Sequence, residues 1–261
     1  MTTEPIDPSQ LLMVYATAEV VADRVDEDPP QVAVDTDDDE FRKQLMESAK
    51  RGAYAYDAYR DLRQVSFLTY SGPESPQFKH FMFCDDPAVD TDALNVSGEE
   101  RSVHVFDLEA DLTGAIGNYL SNHYMSCQGS AVKWRWLTGW KVATDIWPMI
   151  MNKMLKYNSW VPELMKTDIT RRFSTVRYML DVSNIYSQGV SMNMRRLPAC
   201  ADALKYWGYQ RDGHAHASAN QIRDLVCTDP SRAVTLIEPY LEDMFDIVLR
   251  YQDVGEPWRV A

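Results

Sequence analysis

An α/β fold, a mixed sheet with helices packed on it, is the class this sequence predicts. Three observations predict it: short apolar strand-like runs fill the first half, a turn-rich link joins two of them as a hairpin, and helical composition dominates the second half. In chain order, residues 10–25 carry Leu11, Leu12, Val14, Tyr15, Ala18, Val20 and Val21 and read as a short helix, which 26–30 breaks. Residues 31–37 then read as a brief buried strand running into carboxylates, and 38–63 returns to helical composition around Phe41, Leu45, Ala49, Tyr56 and Tyr59. Strands at 64–70 and 78–84 flank Ser71-Gly72-Pro73-Glu74-Ser75-Pro76, the hairpin turn. After an acidic loop at 85–100 come a strand at 102–106, a helix at 109–123 with Leu112, Ile116 and Leu120 on one face, and a short strand at 132–137. From Ile146 onward the expectation is mainly helical: 146–156, 171–185, 197–207, 220–226 and 231–251.

A chain of 261 residues with 45% hydrophobic content is long enough for one large domain. The domain is placed at 31–253, behind an N-terminal helix and acidic linker at 1–30 and ahead of a tail at 254–261. No apolar run approaches the roughly 20 residues needed to span a bilayer, and the start lacks the basic-then-apolar order of a signal peptide. The expectation is therefore a cytoplasmic protein with no membrane partner. Cys84, Cys127, Cys200 and Cys227 form no C-x-x-C pair and are expected to be reduced thiols. A net charge of −13 argues against a general electrostatic grip on nucleic acid. The acid is concentrated at 23–40 and 85–100, however, while Lys153, Lys156, Lys166, Arg171, Arg172, Arg177, Arg195, Arg196, Lys205 and Arg211 lie between Asp145 and His214.

The run Trp136-Leu-Thr-Gly-Trp-Lys-Val-Ala-Thr-Asp145-Ile-Trp-Pro-Met-Ile150 resembles the second motif of B-family DNA polymerase 3′-to-5′ exonuclease domains. Gly139, Trp140, Asp145 and Ile150 match in place, while Lys141 stands where that family has Asn and Thr144 where it has Phe. The resemblance covers roughly 31–252 and implies a ribonuclease H-like mixed sheet flanked by helices, with the B-family exonuclease topology. It also implies Asp-x-Glu on the first strand, Asp at the second motif and Tyr-x-x-x-Asp on a late helix. Two-metal phosphodiester hydrolysis needs such carboxylates converging on cations roughly 3.5–4 Å apart, and oxygen-only ligands suit two Mg2+ or Mn2+ ions.

Two segments compete for the first motif. Val105-Phe106-Asp107-Leu108-Glu109 looks like the family's Phe-Asp-Ile-Glu, but it follows the hairpin and lies only 38 residues before Asp145. Asp35 and Asp37 precede the hairpin and leave 110 residues for the intervening elements, so topology prefers them, with Asp37 in place of the usual Glu. The segment from Glu238 to Tyr251 resembles the last motif, with Asp243 as the ligand. Pro239 stands where the family has its Tyr, and Tyr240 is one place late, close enough to orient a water if a kink at the helix start absorbs the displacement. Asp246 shares a helix face with Asp243 and is a possible helper. His214 and His216, in a Gly-Ala-Ser-rich loop, are expected to be exposed.

The expected function is thus a metal-dependent 3′-to-5′ exonuclease. Asp35, Asp37, Asp145 and Asp243 would hold two ions and Tyr240 would assist. The expected substrate is single-stranded DNA 3′ ends, with a replication or repair protein as a further partner. The alternative is the same fold with a degraded site that binds nucleic acid or protein without cutting.

Overall fold

The computed structural model describes residues 7–20, 40, 43–44, 60–70, 75–125, 136–161, 179–188, 198–209 and 216–255. Among the described residues six strands form one sheet: β1 at Leu11–Val20, β2 at Arg60–Tyr70, β3 at Pro76–Phe83, β4 at Arg101–Phe106, β5 at Trp136–Gly139 and β6 at Met179–Asp181. Their order is β4-β3-β2-β1-β5-β6. β1 runs antiparallel to β2 and β2 to β3, whereas β3–β4, β1–β5 and β5–β6 are parallel pairs. Five strands therefore point one way. Their C-terminal ends share one edge with the N-terminus of β2, the edge at which open α/β sheets usually bind ligands.

The helix expected at 10–25 is instead β1, between β2 and β5 in the middle of the sheet. Leu11, Met13 and Tyr15 enter one core and Leu12 and Val14 the other, so both faces are covered and the strand has no polar face to betray its period. Residues 11–20 are thus part of the sheet rather than of a segment ahead of it. The strand expected at 31–37 lies outside the described residues. The hairpin is present as β2 and β3, and β2 begins at Arg60, inside the span expected to be helical.

Helices α1, Glu109–Met125, and α2, Trp147–Lys156, cover one face of the sheet through Leu112, Ile116, Leu120, Trp147, Ile150 and Met154. The other face carries α3 at Val182–Gln188, α4 at Cys200–Tyr206, α5 at Ala219–Val226 and α6 at Pro230–Gly255. Met179–Asp181, expected to be helical, pairs as β6 with β5. α6 runs for 26 residues and holds Pro239 in its interior rather than in its first turn. The ring removes the amide that would bond the Thr235 carbonyl, and Thr235 is exposed, which leaves that carbonyl on the solvent side of the helix. Among the described residues no helix is long and apolar enough to cross a membrane.

Candidate functional site

The strand-end edge is densely charged, and several of its carboxylates are engaged by the chain's own donors. Arg63, three residues into β2, donates Nε to Glu19 at 2.7 Å and Nη2 to Asp85 at 2.8 Å. Burial pulls the Arg63 pKa down, but Asp85 and Glu19 outweigh it and raise it. The hydrogen bond from Arg63 in turn holds the Asp85 carboxyl below the usual carboxylate range. On the other side of β1, Arg60 donates Nη1 to Asp145 at 3.1 Å. Beneath these pairs lies a buried group: Glu109, the first residue of α1, accepts from the Leu62 amide and the Tyr157 hydroxyl at 2.7 Å each. The Lys153 ammonium sits 2.9 Å from Glu109 and 3.5 Å from Asp61.

Asp145 lies in a single π-helical turn, Val142–Ile146, between β5 and α2. Asp181 at the end of β6 fastens this turn, accepting from the amides of Lys141 at 2.9 Å and Ala143 at 3.2 Å while Ser183 donates its amide and hydroxyl to the same carboxylate. Nothing local to Asp181 in the sequence signals a partner 40 residues away. Lys141 has φ 53°, in the left-handed region. The Asn expected here by resemblance tolerates that region better than Lys.

Asp243 and Tyr240 sit on α6 but do not present free oxygens. Asp243 is 6% exposed and accepts from His216 Nε2 at 2.7 Å. The His216 ring, expected to be exposed, is instead packed against Tyr240 with its side chain 3% exposed. Tyr240 stacks on Tyr15 of β1 with ring centroids 4.6 Å apart and donates its hydroxyl to the Ala217 carbonyl. Burial pushes its pKa up, so it is a neutral donor to a fixed backbone group. Asp246 is likewise engaged, accepting from the Tyr209 hydroxyl at 2.6 Å and pairing with Arg250 at 2.9 Å.

Asp35 and Asp37 lie outside the described residues. The rival first motif is split: Glu109 lies in the buried group with Lys153, and Asp107 stands apart. Asp107 is exposed after the edge strand β4, four strand intervals from β5, roughly 19 Å at about 4.8 Å per strand. Among the described residues no three His, Cys, Asp or Glu side chains form a metal-sized group.

A directional chain of buried polar groups lies on the α6 side of the sheet. Thr17 donates to Gln64 Oε1 at 3.4 Å, and Gln64 Nε2 donates to the Tyr15 carbonyl and the Ser66 hydroxyl. Ser66 Oγ lies 2.7 Å from His80 Nδ1, and His80 Nε2 lies 3.3 Å from Glu238, which Arg101 holds in a two-pronged pair. A carboxylate can only accept, so Nε2 carries the proton and Nδ1 receives the Ser66 hydroxyl. Ser-His-Glu in this order resembles a hydrolytic triad, but Ser66 and His80 are fully buried and Ser66 has no substrate access.

Burial holds the His80 pKa below its ordinary value. The unfolded chain therefore takes up a proton near pH 6.5 that the folded chain refuses. Stability is complete above that pH and falls as pH drops through it. In urea titrations His80→Gln, which does not titrate, is expected to flatten the decline between pH 7.5 and 5.5. His104, its pKa also lowered by burial and by Lys79, leaves a residual slope.

Near the C-terminal end of α6 a cavity of about 260 Å3 is lined by Ile185, Trp207, Tyr209, Ile247, Arg250 and Tyr251. Arg250 lies over the Tyr209 ring at 5.1 Å, and Tyr206 and Tyr251 are exposed nearby. The class that fold and site define is an α/β domain whose described residues form a six-stranded mixed sheet with charged strand ends. No family model matches the chain, and no curated protein matches it.

Proposed function

We propose that this chain is an exonuclease-like fold that holds single-stranded nucleic acid without cutting it. The observation that carries this reading is the composition of β1. By resemblance the first strand would supply Asp-x-Glu, yet Leu11–Val20 contains no Asp, and its one carboxylate, Glu19, is bonded to Arg63. The described donors do not fit a pair of Mg2+ or Mn2+ ions, because Asp145 faces the Arg60 guanidinium and Asp243 faces a histidine N–H. Support for binding comes from the aromatic cavity beside Arg250, since bases of any sequence stack on Trp and Tyr. With a net charge of −13, stacking rather than phosphate contact would supply most of the affinity.

The test pairs a binding assay with a cleavage assay on 5′-labelled single-stranded DNA. Fluorescence anisotropy is expected to show binding with a shallow salt dependence, weakened about tenfold in Tyr251→Ala, the loss of one stacking partner. The labelled strand is expected to stay full length with Mg2+ or Mn2+. Shortening from the 3′ end that EDTA stops and Asp145→Ala abolishes would overturn the non-cutting reading and favour a two-metal exonuclease. Absence of binding would instead turn the proposal toward a protein partner.

A further inference from the structure

We infer that the cavity beside α6 takes one nucleotide unit, the base against its aromatic wall and the attached phosphate on Arg250, so that a free nucleoside monophosphate is its smallest ligand. The inference rests on the strand-binding reading and narrows it to a single base and a single phosphate. Ile185 of α3, Trp207 and Tyr209 just past α4, and Ile247 of α6 form the body of the cavity. Its volume of about 260 Å3 lies below the roughly 300–1,000 Å3 of sites for drug-sized ligands, which limits it to one base. The walls are set by the chain's own contacts. Trp207 is held edge-on by Trp140 at 6.2 Å and by Tyr186 at 5.4 Å, and the Tyr209 hydroxyl is anchored on Asp246 at 2.6 Å. Rings fixed by their neighbours lose little freedom on binding, so a small contact area suffices to hold a small ligand.

The charge on the lining selects the rest of the ligand. Among the described residues that line the cavity Arg250 alone is charged, and it is a cation in a chain of net charge −13. Its guanidinium lies 5.1 Å from the Tyr209 ring centroid, and Nη2 pairs with Asp246 at 2.9 Å, so it is steadied at the rim while its side chain stays 67% exposed. A guanidinium carries five N–H donors in a planar fork, and the pair with Asp246 is made through one of its three nitrogens. Such a fork both stacks on rings and grips phosphate oxygens. A bare ring would leave Arg250 unused, and inorganic phosphate would leave the aromatic wall wet. A base bearing one phosphate satisfies both.

Ligand-observed NMR titrations of the full chain compare deoxyadenosine monophosphate, deoxyadenosine and inorganic phosphate. The monophosphate is expected to bind about tenfold tighter than the nucleoside, the usual effect of one charge-assisted contact, and phosphate alone is expected not to bind. Arg250→Met keeps the stem and removes the guanidinium, so it should bring the monophosphate down to the nucleoside's affinity. With a single-stranded oligonucleotide, log affinity should fall against log salt with a slope of about −0.7, the value for one phosphate contact. Equal affinities of monophosphate and nucleoside would overturn the inference, as would a monophosphate affinity unchanged in Arg250→Met or a salt slope several times steeper. The three ligands on the unsubstituted chain decide the question even if the variant fails to fold. A strand that binds while the monophosphate neither binds nor displaces it would overturn the one-nucleotide inference and leave the strand-binding reading standing. A monophosphate that binds as expected while no strand binds would do the reverse.

Discussion

Lys153→Met is expected to destabilise the protein by about 3–5 kcal/mol, the usual cost of breaking a buried ion pair from one side. Lys153 is 2% exposed, and its ammonium is shared by Glu109 and Asp61, themselves both 6% exposed. Methionine keeps the apolar stem and removes the charge, so two buried carboxylates lose their common counter-ion. Urea unfolding at pH 7 measures the loss, and in a chain of this size Tm should fall by about 10 °C. Lys153→Met combined with Glu109→Gln should recover a large part of the deficit, because the amide oxygen still accepts from the Leu62 amide while its NH2 group can donate to the Tyr157 oxygen. Equal stability of Lys153→Met and the parent would mean that the buried cluster does not hold α1 and α2 to β2.

Gly139→Ala is the second large effect. A β-carbon at Gly139 would lie 2.5 Å from the Val14 carbonyl oxygen and 3.2 Å from a Val14 methyl. The obstacle is backbone of the neighbouring strand, so β5 must move away from β1 and carry the Asp145 turn with it. A cost of about 3 kcal/mol is expected, at the upper end for overpacking. Gly114→Ala is the control: its added carbon meets nothing within 4 Å, and in a helix interior the change should stabilise by about 0.5–1 kcal/mol. If both substitutions shift the urea midpoint alike, the close approach of β5 to β1 is wrong.

The elements legible in the sequence are those whose signal is local. The hairpin shows because Ser71-Gly72-Pro73 punctuates two apolar runs, and α1 because Leu112, Ile116 and Leu120 recur at helical spacing. β1 was not legible as a strand. Leu, Met, Ala and Glu favour helix locally, and a strand buried on both faces has no alternation to contradict them. The error carries into the site, since taking 31–37 as the first strand draws attention to Asp35 and Asp37, while β1, which holds the centre of the sheet, ends in Thr17 and Glu19.

Sequence alone determined the α/β class, the hairpin and the late helices, because composition, turn residues and periodicity act over a few neighbouring residues, whereas Asp145 and Asp243 were candidate acids only by resemblance. Tertiary structure decided what those acids touch. Arg60 meets Asp145 across 85 residues, His216 meets Asp243 across 27, and Asp181 ties down the Asp145 turn from 40 residues away. It also turned Tyr240 to the Ala217 carbonyl and placed Pro239 within a continuous α6. The physical reason is that a carboxylate looks the same in sequence whether it faces a metal, a guanidinium or an amide. Its partner is chosen by strand order and helix packing, which bring together groups that no local window contains.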